Sequence, residues 1–544
     1  MRGATQAKWV MAAAAVALAA TACGSGGGGS SSGSASGGGG VVTAFWGDPQ
    51  TTLEPANVNE VNGGKVLDMI FQGLQEYDAK TGKARLAAAE SITTTDAQNY
   101  TIKLKSGLKF SDGEPVNAAS FVDAWNYGAL STNAQLNSSF FGYIEGYDKV
   151  HPDAGKPSAK TMSGLKKVDD LTFTVKLTQK FSTFPDTLGY SAYYPVPAKF
   201  FTDHAAWVKN PVGNGTYKIT SWTKGQGMSL VPNPEYQGDM KAQNKGVDLK
   251  VYTSDETAYQ DLVAGNLDVM DQLPATQTNN AQSDLQGRYI NQPAGIVQTV
   301  SFPLYKKDWN TAQAAKVRQG LSMLIDRPSI TKTVLAGTYT PATDWTSPVL
   351  GEAGYSKDML GEFGTYDPAK GKQLIEEGGG IPGGKLTISY NADRGNHKLW
   401  VDAVCNTINK ALGGGTCVGN PVGTFASFRD QVTSKQMTGL FRTGWQMDYP
   451  TVQDFLEPLY TTNGSSNDGK WSNKEFDKLV GEANAETDSA KAVATYQQAE
   501  KLLVQEMPVI PLWYQNATAG YGANIGNVQL NPFSVPVYSQ ITKK

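Results

Sequence analysis

Strand-like and helix-like segments alternate along most of this 544-residue chain. Residues 100–105 and 171–177 alternate apolar and polar side chains, which is typical of half-buried strands. Residues 489–506 have a helical pattern that must end before Pro508, because proline cannot continue the hydrogen-bond ladder. An apolar run at 509–514 follows as a buried strand. Since no solenoid-type repeat is present, the pattern predicts α/β or α+β lobes.

The first forty residues have the composition of an export signal followed by a tether. Arg2 and Lys8 precede a twelve-residue apolar run at 9–20, which is typical of a signal peptide. The run is shorter than the roughly 20 apolar residues that span a bilayer. Gly, Ser and a single Ala then fill residues 24–40, a composition that predicts a flexible linker.

The end of the apolar run resembles the lipobox of bacterial lipoproteins, in which a cysteine is diacylated and the chain is cleaved before it. Cys23 directly follows Ala22, while Ala20 stands where a lipobox usually has leucine. We therefore expect a signal peptide at 1–22 and a lipidated Cys23 with its tether at 23–40. An ordinary secretory signal is the alternative.

Charge and hydropathy exclude two classes of protein. The formal net charge is −3 and becomes −5 when Arg2 and Lys8 leave with the signal, so the basic excess of a nucleic-acid binder is absent. No later segment has 18 uninterrupted apolar residues, so a second membrane span is not expected. The roughly five hundred residues after the tether can form two or three lobes with cores.

The chain has two cysteines besides Cys23. Cys405 and Cys417 lie on either side of a predicted helix end at Leu412 and a glycine turn that leads into a returning strand. Outside the cell such a pair is more often a disulfide than two free thiols. We expect a structural disulfide that stabilises the fold by roughly 3 kcal/mol.

No catalytic constellation is recognisable. The three histidines, at 151, 204 and 397, are far apart and form no metal-binding spacing. Residues 379–385 nearly match a phosphate-binding loop, but Leu386 replaces the required Ser or Thr. The adjacent acids Asp169 and Asp170 are ordinary for an exposed loop. We expect no enzyme activity, metal or cofactor.

Five segments occur in a fixed order along residues 41–544: 100–125 (a strand, a Phe-Ser-Asp-Gly turn and a helix), 213–236, 264–269, 317–327 and 473–511. Together they resemble the extracellular solute-binding proteins of peptide importers, the oligopeptide- and dipeptide-binding family. Most of these residues belong to the scaffold. Asp326 and Arg327 are expected to end a helix with an ion pair, and Ser472 with Glu475 has the spacing of a capping box.

The resemblance implies a periplasmic-binding-protein-like α/β fold, with two lobes joined by a hinge of two crossing segments that closes over ligand. It implies an additional domain in the first lobe, a monomer, and as partners a membrane permease with its ATPase subunits. The boundaries that we predict are 41–71, 196–293 and 511–544 for lobe I, 72–195 for the additional domain, and 294–510 for lobe II.

Residues 442–450, Arg-Thr-Gly-Trp-Gln-Met-Asp-Tyr-Pro, form the most site-like run. They resemble the family segment whose aspartate pairs with the N-terminal ammonium of a peptide, here Asp448. Independently of the resemblance, a carboxylate flanked by Trp445 and Tyr449 lies in a low-dielectric environment where it needs a charged partner. A ligand ammonium would supply that partner.

Other positions complete the candidate site. Gly444 would allow close approach of a ligand backbone. Arg442 and His397 are candidates for binding a peptide carboxylate, although Arg442 could equally form an internal ion pair. The structural alternative for Asp448 is a cap before the helix that starts near Val452. Side-chain pockets could be lined by two aromatic residues, Tyr143 and Phe425.

These observations favour a binding protein that captures oligopeptides and delivers them to an importer. Oligosaccharides or another small solute are the alternative ligands, since the chain has 11 tryptophans. A secreted hydrolase with two carboxylates is the remote alternative. The expected location is the extracellular face of the cell membrane.

Overall fold

The computed structural model describes residues 39–252, 254–274, 276–392, 397–462 and 464–544, without the side chains of 352, 353 and 426. The predicted signal peptide and Cys23 lie outside the described residues. The strands are β1 (Val42–Trp46), β2 (Gln75–Tyr77), β3 (Ala84–Leu86), β4 (Ala89–Thr94), β5 (Asn99–Leu104), β6 (Leu165–Lys167), β7 (Thr172–Lys176), β8 (Tyr217–Thr223), β9 (Gly227–Pro232), β10 (Val247–Val251), β11 (Val269–Met270), β12 (Tyr289–Ser301), β13 (Tyr339–Pro341), β14 (Leu386–Asn391), β15 (Cys417–Val422), β16 (Leu440–Gln446), β17 (Val509–Tyr521), β18 (Ile525–Gly526) and β19 (Thr542–Lys543).

Helices connect these strands, and within the described ranges none is long and apolar enough to cross a membrane. They are α1 (Val61–Ile70), α2 (Ala118–Ala129), α3 (Tyr147–Val150), α4 (Phe184–Thr187), α5 (Ala198–Thr202), α6 (His204–Lys209), α7 (Asp255–Ala264), α8 (Thr278–Asp284), α9 (Ala312–Met323), α10 (Arg327–Ser329), α11 (Pro368–Glu377), α12 (His397–Leu412), α13 (Phe425–Thr433), α14 (Val452–Tyr460), α15 (Lys474–Ala485) and α16 (Ser489–Glu506). The predicted helix at 489–506 is therefore confirmed.

The two longest strands, β12 and β17, connect the two halves of the molecule. They pair antiparallel from Tyr289 with Gly520 at one end to Ser301 with Val509 at the other. The pairing is interrupted between Pro293 and Val297. On one side of this interruption β17 pairs with β11, and on the other side β12 pairs with β16. The two strands thus cross from one set of strands to the other, as a two-segment hinge requires.

Each half has its own hydrophobic core. Lobe I contains β1 and β8–β11, and its core is continuous with that of the additional domain, whose sheet has the order β4-β5-β7-β6. Lobe II contains β14–β16 and α9–α16, packed around a separate core. The exact lobe boundaries given above stay predictions.

The structure joins the sulfurs of Cys405 and Cys417 in a disulfide between α12 and β15, which is the pairing expected from the sequence. The glycine turn between them needs left-handed backbone, since Gly413 and Gly415 have φ of 111° and 81°. The Asn409 amide donates to the Cys417 carbonyl at 2.9 Å and accepts from its N–H at 2.7 Å. The helix end and the strand start are therefore tied at two points.

Two local predictions are wrong. Asn473, not Ser472, is the N-cap of α15, because its side-chain oxygen accepts two N–H groups of the first turn at 2.9 and 3.1 Å. Asp326 and Arg327 form no ion pair with each other. Asp326 begins α10 by accepting from the N–H of Ser329 at 3.0 Å, while the guanidinium of Arg327 is buried against carbonyl oxygens.

Candidate functional site

Asp448 lies in the turn between β16 and α14, where the chain leaves the sheet beside the hinge. The N–H of the preceding residue, Met447, donates to the carbonyl of Gly295 at 2.8 Å. Gly295 lies within the interruption of the β12–β17 pairing. The site-like turn is therefore attached to the point at which the two crossing strands separate.

Asp454, on the first turn of α14, holds this turn from inside lobe II. Its Oδ2 accepts from the indole N–H of Trp445 at 2.9 Å and from the backbone N–H of Asp448 at 3.1 Å. Thr451 begins α14 by accepting from the N–H of Asp454 at 3.3 Å. Burial, followed by the charge of Asp448, raises the pKa of Asp454 well above its usual value. Asp454 thus positions the backbone of Asp448.

The side chain of Asp448 borders a cleft of about 410 Å³ between the lobes. The carboxylate forms no ion pair with any residue in the described part of the chain, and burial raises its pKa to about 6. A half-buried carboxylate of this kind gains free energy from a cationic partner. The residues that line the cleft are Val58, Asn59, Glu60, Val61, Gly64, Asp68, Gly189, Tyr190, Ser191, Gln446, Met447, Asp448, Phe533 and Val535.

Trp445 and Gly444 line a different cavity, of about 200 Å³, within lobe II. Arg442 and Phe425 line the same cavity. The Arg442 guanidinium donates through Nε to the side-chain oxygen of Asn391 at 2.9 Å and lies 5.3 Å from the ring of Phe425. The strand β16 therefore carries one part of the predicted site into lobe II and its last residues to the cleft.

A second arginine borders this lobe II cavity. Arg429 pairs with both carboxylate oxygens of Asp468, at 2.6 and 3.1 Å. This bidentate geometry fixes the Arg429 guanidinium. Among the described residues the cavity is therefore lined by the guanidinium groups of Arg429 and Arg442 and by the Asp468 carboxylate that pairs with Arg429.

His397 begins α12, is buried, and accepts at Nδ1 from the indole N–H of Trp400 at 3.0 Å. It does not belong to the described residues that line the cleft or the lobe II cavity. The structure therefore does not place His397 together with Asp448. Its candidate role in binding a carboxylate stays a prediction.

The structure does not bring Tyr449 and Tyr143 to the cleft either. Tyr449 is 9% exposed, packs against the core of lobe I, and donates from its hydroxyl to Gln453 at 2.7 Å. Tyr143, in the additional domain, contacts the ring of Phe181 at 4.7 Å. Burial, and then the nearby charge of Glu457, raises the pKa of Tyr143. Both tyrosines lie where the additional domain meets α14, since Tyr449 donates to Gln453 and Tyr143 lies near Glu457.

The residues on the lobe I side of the cleft were not predicted from the sequence. Asp68 on α1, Tyr190 in the additional domain and Phe533 near the C-terminus all border it. The ring centroids of Tyr190 and Phe533 are 6.0 Å apart. None of the three lies in a motif of the sequence, so no local signal could have identified them. In the described ranges no group of His, Cys, Asp or Glu side chains could hold a metal ion.

Residues 83–467, more than half of the chain, match the family described as "Bacterial extracellular solute-binding proteins, family 5 Middle". The chain belongs to this family. The oligopeptide-binding protein OppA of Bacillus subtilis is 27% identical over 494 residues, which cover 88% of each chain. The probable deoxycholate-binding periplasmic protein YgiS of Escherichia coli is 28% identical over 501 residues, 90% of each chain.

Comparison with solved structures shows the fold. The periplasmic murein tripeptide binding protein MppA, in its unliganded open form, superposes with a TM-score of 0.81 at 23% identity, covering 92% of this chain and 97% of the other. The two-lobed, periplasmic-binding-protein-like α/β fold expected from the sequence is therefore confirmed. Family 5 proteins bind solutes, which agrees with the expectation that the chain is not an enzyme.

Proposed function

We propose that this chain is the extracytoplasmic substrate-binding subunit of an ABC importer and that it captures oligopeptides in the cleft between its lobes. The observation that carries the proposal is the carboxylate of Asp448, which borders the cleft without a cationic partner among the described residues. Relatives whose names specify oligopeptide and dipeptide binding support the same ligand class.

The geometry supplies a binding mechanism without bond breaking or a cofactor. The α-ammonium of the peptide pairs with Asp448, in an environment where charge-assisted hydrogen bonds are stronger than in water. Arg442, which lines the lobe II cavity, is the candidate contact for the peptide carboxylate. Closure about β12 and β17 then surrounds the ligand before it is transferred to the permease and its ATPase subunits.

The protein acts as a monomer held on the outer face of the cell membrane by acyl chains on Cys23. The lipobox-like residues before Cys23 and the Gly/Ser tether after it support this location. Each buried CH₂ of an acyl chain contributes about 0.8 kcal/mol to membrane binding, so two chains anchor the protein stably. We expect cells that express the full chain to incorporate labelled palmitate into it and to lose this label in Cys23→Ser. A label that persists in the variant would contradict the anchor.

Calorimetric titration with three ligands tests the proposed ligand class. We expect trialanine to bind, N-acetyl-trialanine to bind at least about tenfold more weakly because it lacks the ammonium, and a cello-oligosaccharide of similar size not to bind. Equal affinity for the free and the acetylated peptide would contradict amine recognition. Binding of the sugar without binding of either peptide would favour the oligosaccharide alternative.

A further inference from the structure

Two carboxylates from opposite lobes border the same cleft. Asp448 is contributed by lobe II, and Asp68 is contributed by α1 of lobe I. Burial, and then the charges of Asp448 and Asp68, raise the pKa of Tyr190, which borders the cleft with them. Because both carboxylates border one cleft of about 410 Å³, a single ligand in this cleft can reach both.

Neutral donors orient the carboxylate of Asp68. The hydroxyl of Tyr194 donates to Oδ1 at 3.1 Å, and the side-chain amide of Asn531 donates to Oδ2 at 3.3 Å. No described cation forms an ion pair with it, and its partial removal from water raises its pKa to about 6. The residue is exposed at the cleft, so a ligand can reach its carboxylate. Asp68 is thus held in place but its charge is not balanced.

The charged side chains that line the cleft indicate how many positive charges of a ligand the cleft can bind. Among the described residues the lining contains three carboxylates, those of Glu60, Asp68 and Asp448, and no Lys, Arg or His. Glu60 already accepts from the N–H groups of Asn62 and Gly63, both at 2.7 Å, as the N-cap of α1. These bonds direct Glu60 toward the first turn of α1. A single ammonium at Asp448 therefore leaves the Asp68 carboxylate in the cleft without a cationic partner.

A smaller cavity of about 130 Å³ continues from the cleft into lobe I and shares Asp68, Gly189 and Phe533 with it. Gln75 lines this cavity, is 8% exposed, and its side-chain oxygen accepts no hydrogen bond from the described residues. A buried acceptor without a donor costs free energy until a ligand supplies one. Among the described residues this cavity therefore offers no donor to Gln75, and its cation, Arg85, already pairs with Glu76 at 2.9 Å.

We propose that Asp68 binds a second positive charge of the ligand, so that the cleft selects peptides whose first residue is basic. The α-ammonium pairs with Asp448, and the lysine or arginine side chain extends along α1 to Asp68 and toward Gln75. This assignment rests on the proposed function, because it takes the peptide amine at Asp448 as given. The ligand then connects carboxylates of both lobes, and each charge that it brings favours the closed arrangement.

The test compares two peptides that differ by one ammonium group. Norleucine has nearly the shape of lysine without its charge, so Lys-Ala-Ala and Nle-Ala-Ala separate charge from side-chain size. We expect the purified wild-type protein to bind Lys-Ala-Ala about ten- to a hundredfold more tightly in calorimetry, within the range of close charge pairs at interfaces. Asp68→Asn should abolish this preference and leave the affinity for Nle-Ala-Ala within about twofold of wild type.

The matched control is Glu90→Gln, which removes a half-exposed carboxylate in the additional domain and should keep the full preference. Equal wild-type affinities for the two peptides, or a preference that survives in Asp68→Asn, would overturn the assignment of Asp68. The proposed function would stand in either case, because both peptides would still bind. Failure of both peptides to bind would instead overturn the proposed function and, with it, this assignment.

Discussion

Asp448→Asn is expected to weaken the binding of trialanine by about a hundredfold or more. Removing one member of a desolvated, hydrogen-bonded charge pair costs about 2–5 kcal/mol, much of it because the other charge is left buried and unpaired. Asparagine keeps the size of the side chain, and the backbone N–H that bonds to Asp454 is unchanged. The loss should therefore appear in the dissociation constant measured by calorimetry, with little change in the unfolding temperature.

The ligand itself supplies the first control for this prediction. N-acetyl-trialanine has no ammonium, so it should bind wild type and Asp448→Asn with nearly equal, weak affinity. Asp430→Asn, on the exposed surface of α13, is the matched variant and should bind trialanine as wild type does. A similar loss for both peptides in Asp448→Asn would show that the substitution damages the cleft and would contradict a charge-specific role.

The same pairing predicts how binding depends on pH. Burial raises the pKa of Asp448 to about 6 in the empty cleft, and the ammonium pairs with the ionised form. The affinity for trialanine should therefore be highest between about pH 6 and pH 8, where the carboxylate is ionised and the amine, with a pKa of about 8, is protonated. It should fall as the pH drops through about 6, because binding must then remove a proton. Asp68, whose pKa is also about 6, protonates in the same range. Asp448→Asn should lose most of the dependence, and an unchanged pH profile in that variant would argue against the pairing.

Arg327→Met is expected to lower the free energy of unfolding by about 3–5 kcal/mol, because removing a buried charged partner leaves several polar groups unsatisfied. The guanidinium is fully buried and donates to the carbonyl of Pro511 at 2.9 and 2.8 Å. It also donates to the carbonyl and the hydroxyl of Ser322 at 3.0 and 2.8 Å. Pro511 lies beside the irregularity in the β12–β17 pairing at Gln298–Thr299, so Arg327 ties the end of α9 to a crossing strand.

Denaturant unfolding measures this effect, with Arg85→Met as the matched control. Arg85 pairs with Glu76 at 2.9 Å on a partly exposed surface, and its removal should cost less than about 1 kcal/mol. The disulfide and the core of lobe II are retained in both variants. If Arg327→Met costs no more than the control, the guanidinium does not stabilise the end of β17 as described.

The sequence predicts local structure well where a few neighbouring residues determine it. Proline after Met507 ends α16, and glycines with left-handed backbone connect Cys405 and Cys417 within one turn. The two errors have the same local origin. Ser472 and Asn473 are both favourable N-cap residues. A shift of one residue in the start of α15 therefore decides which of them caps the helix. Arg327 follows an acidic residue in the sequence, but its long side chain instead reaches the carbonyl of Pro511 on β17.

The sequence by itself indicated the family and individual strands and helices such as the helix at 489–506, and it predicted Asp448 as the carboxylate that pairs with a ligand. Each of these depends on residues that are close together in the chain or on segments that occur in order. The tertiary structure decided which side chains share a space with Asp448. It placed Asp68, 380 positions earlier, across the cleft, and it turned Tyr449 and Tyr143 toward the contact between the additional domain and α14. The physical reason is that the side chains around a cleft come from distant elements, whose mutual placement depends on how β12 and β17 cross and how the two cores pack.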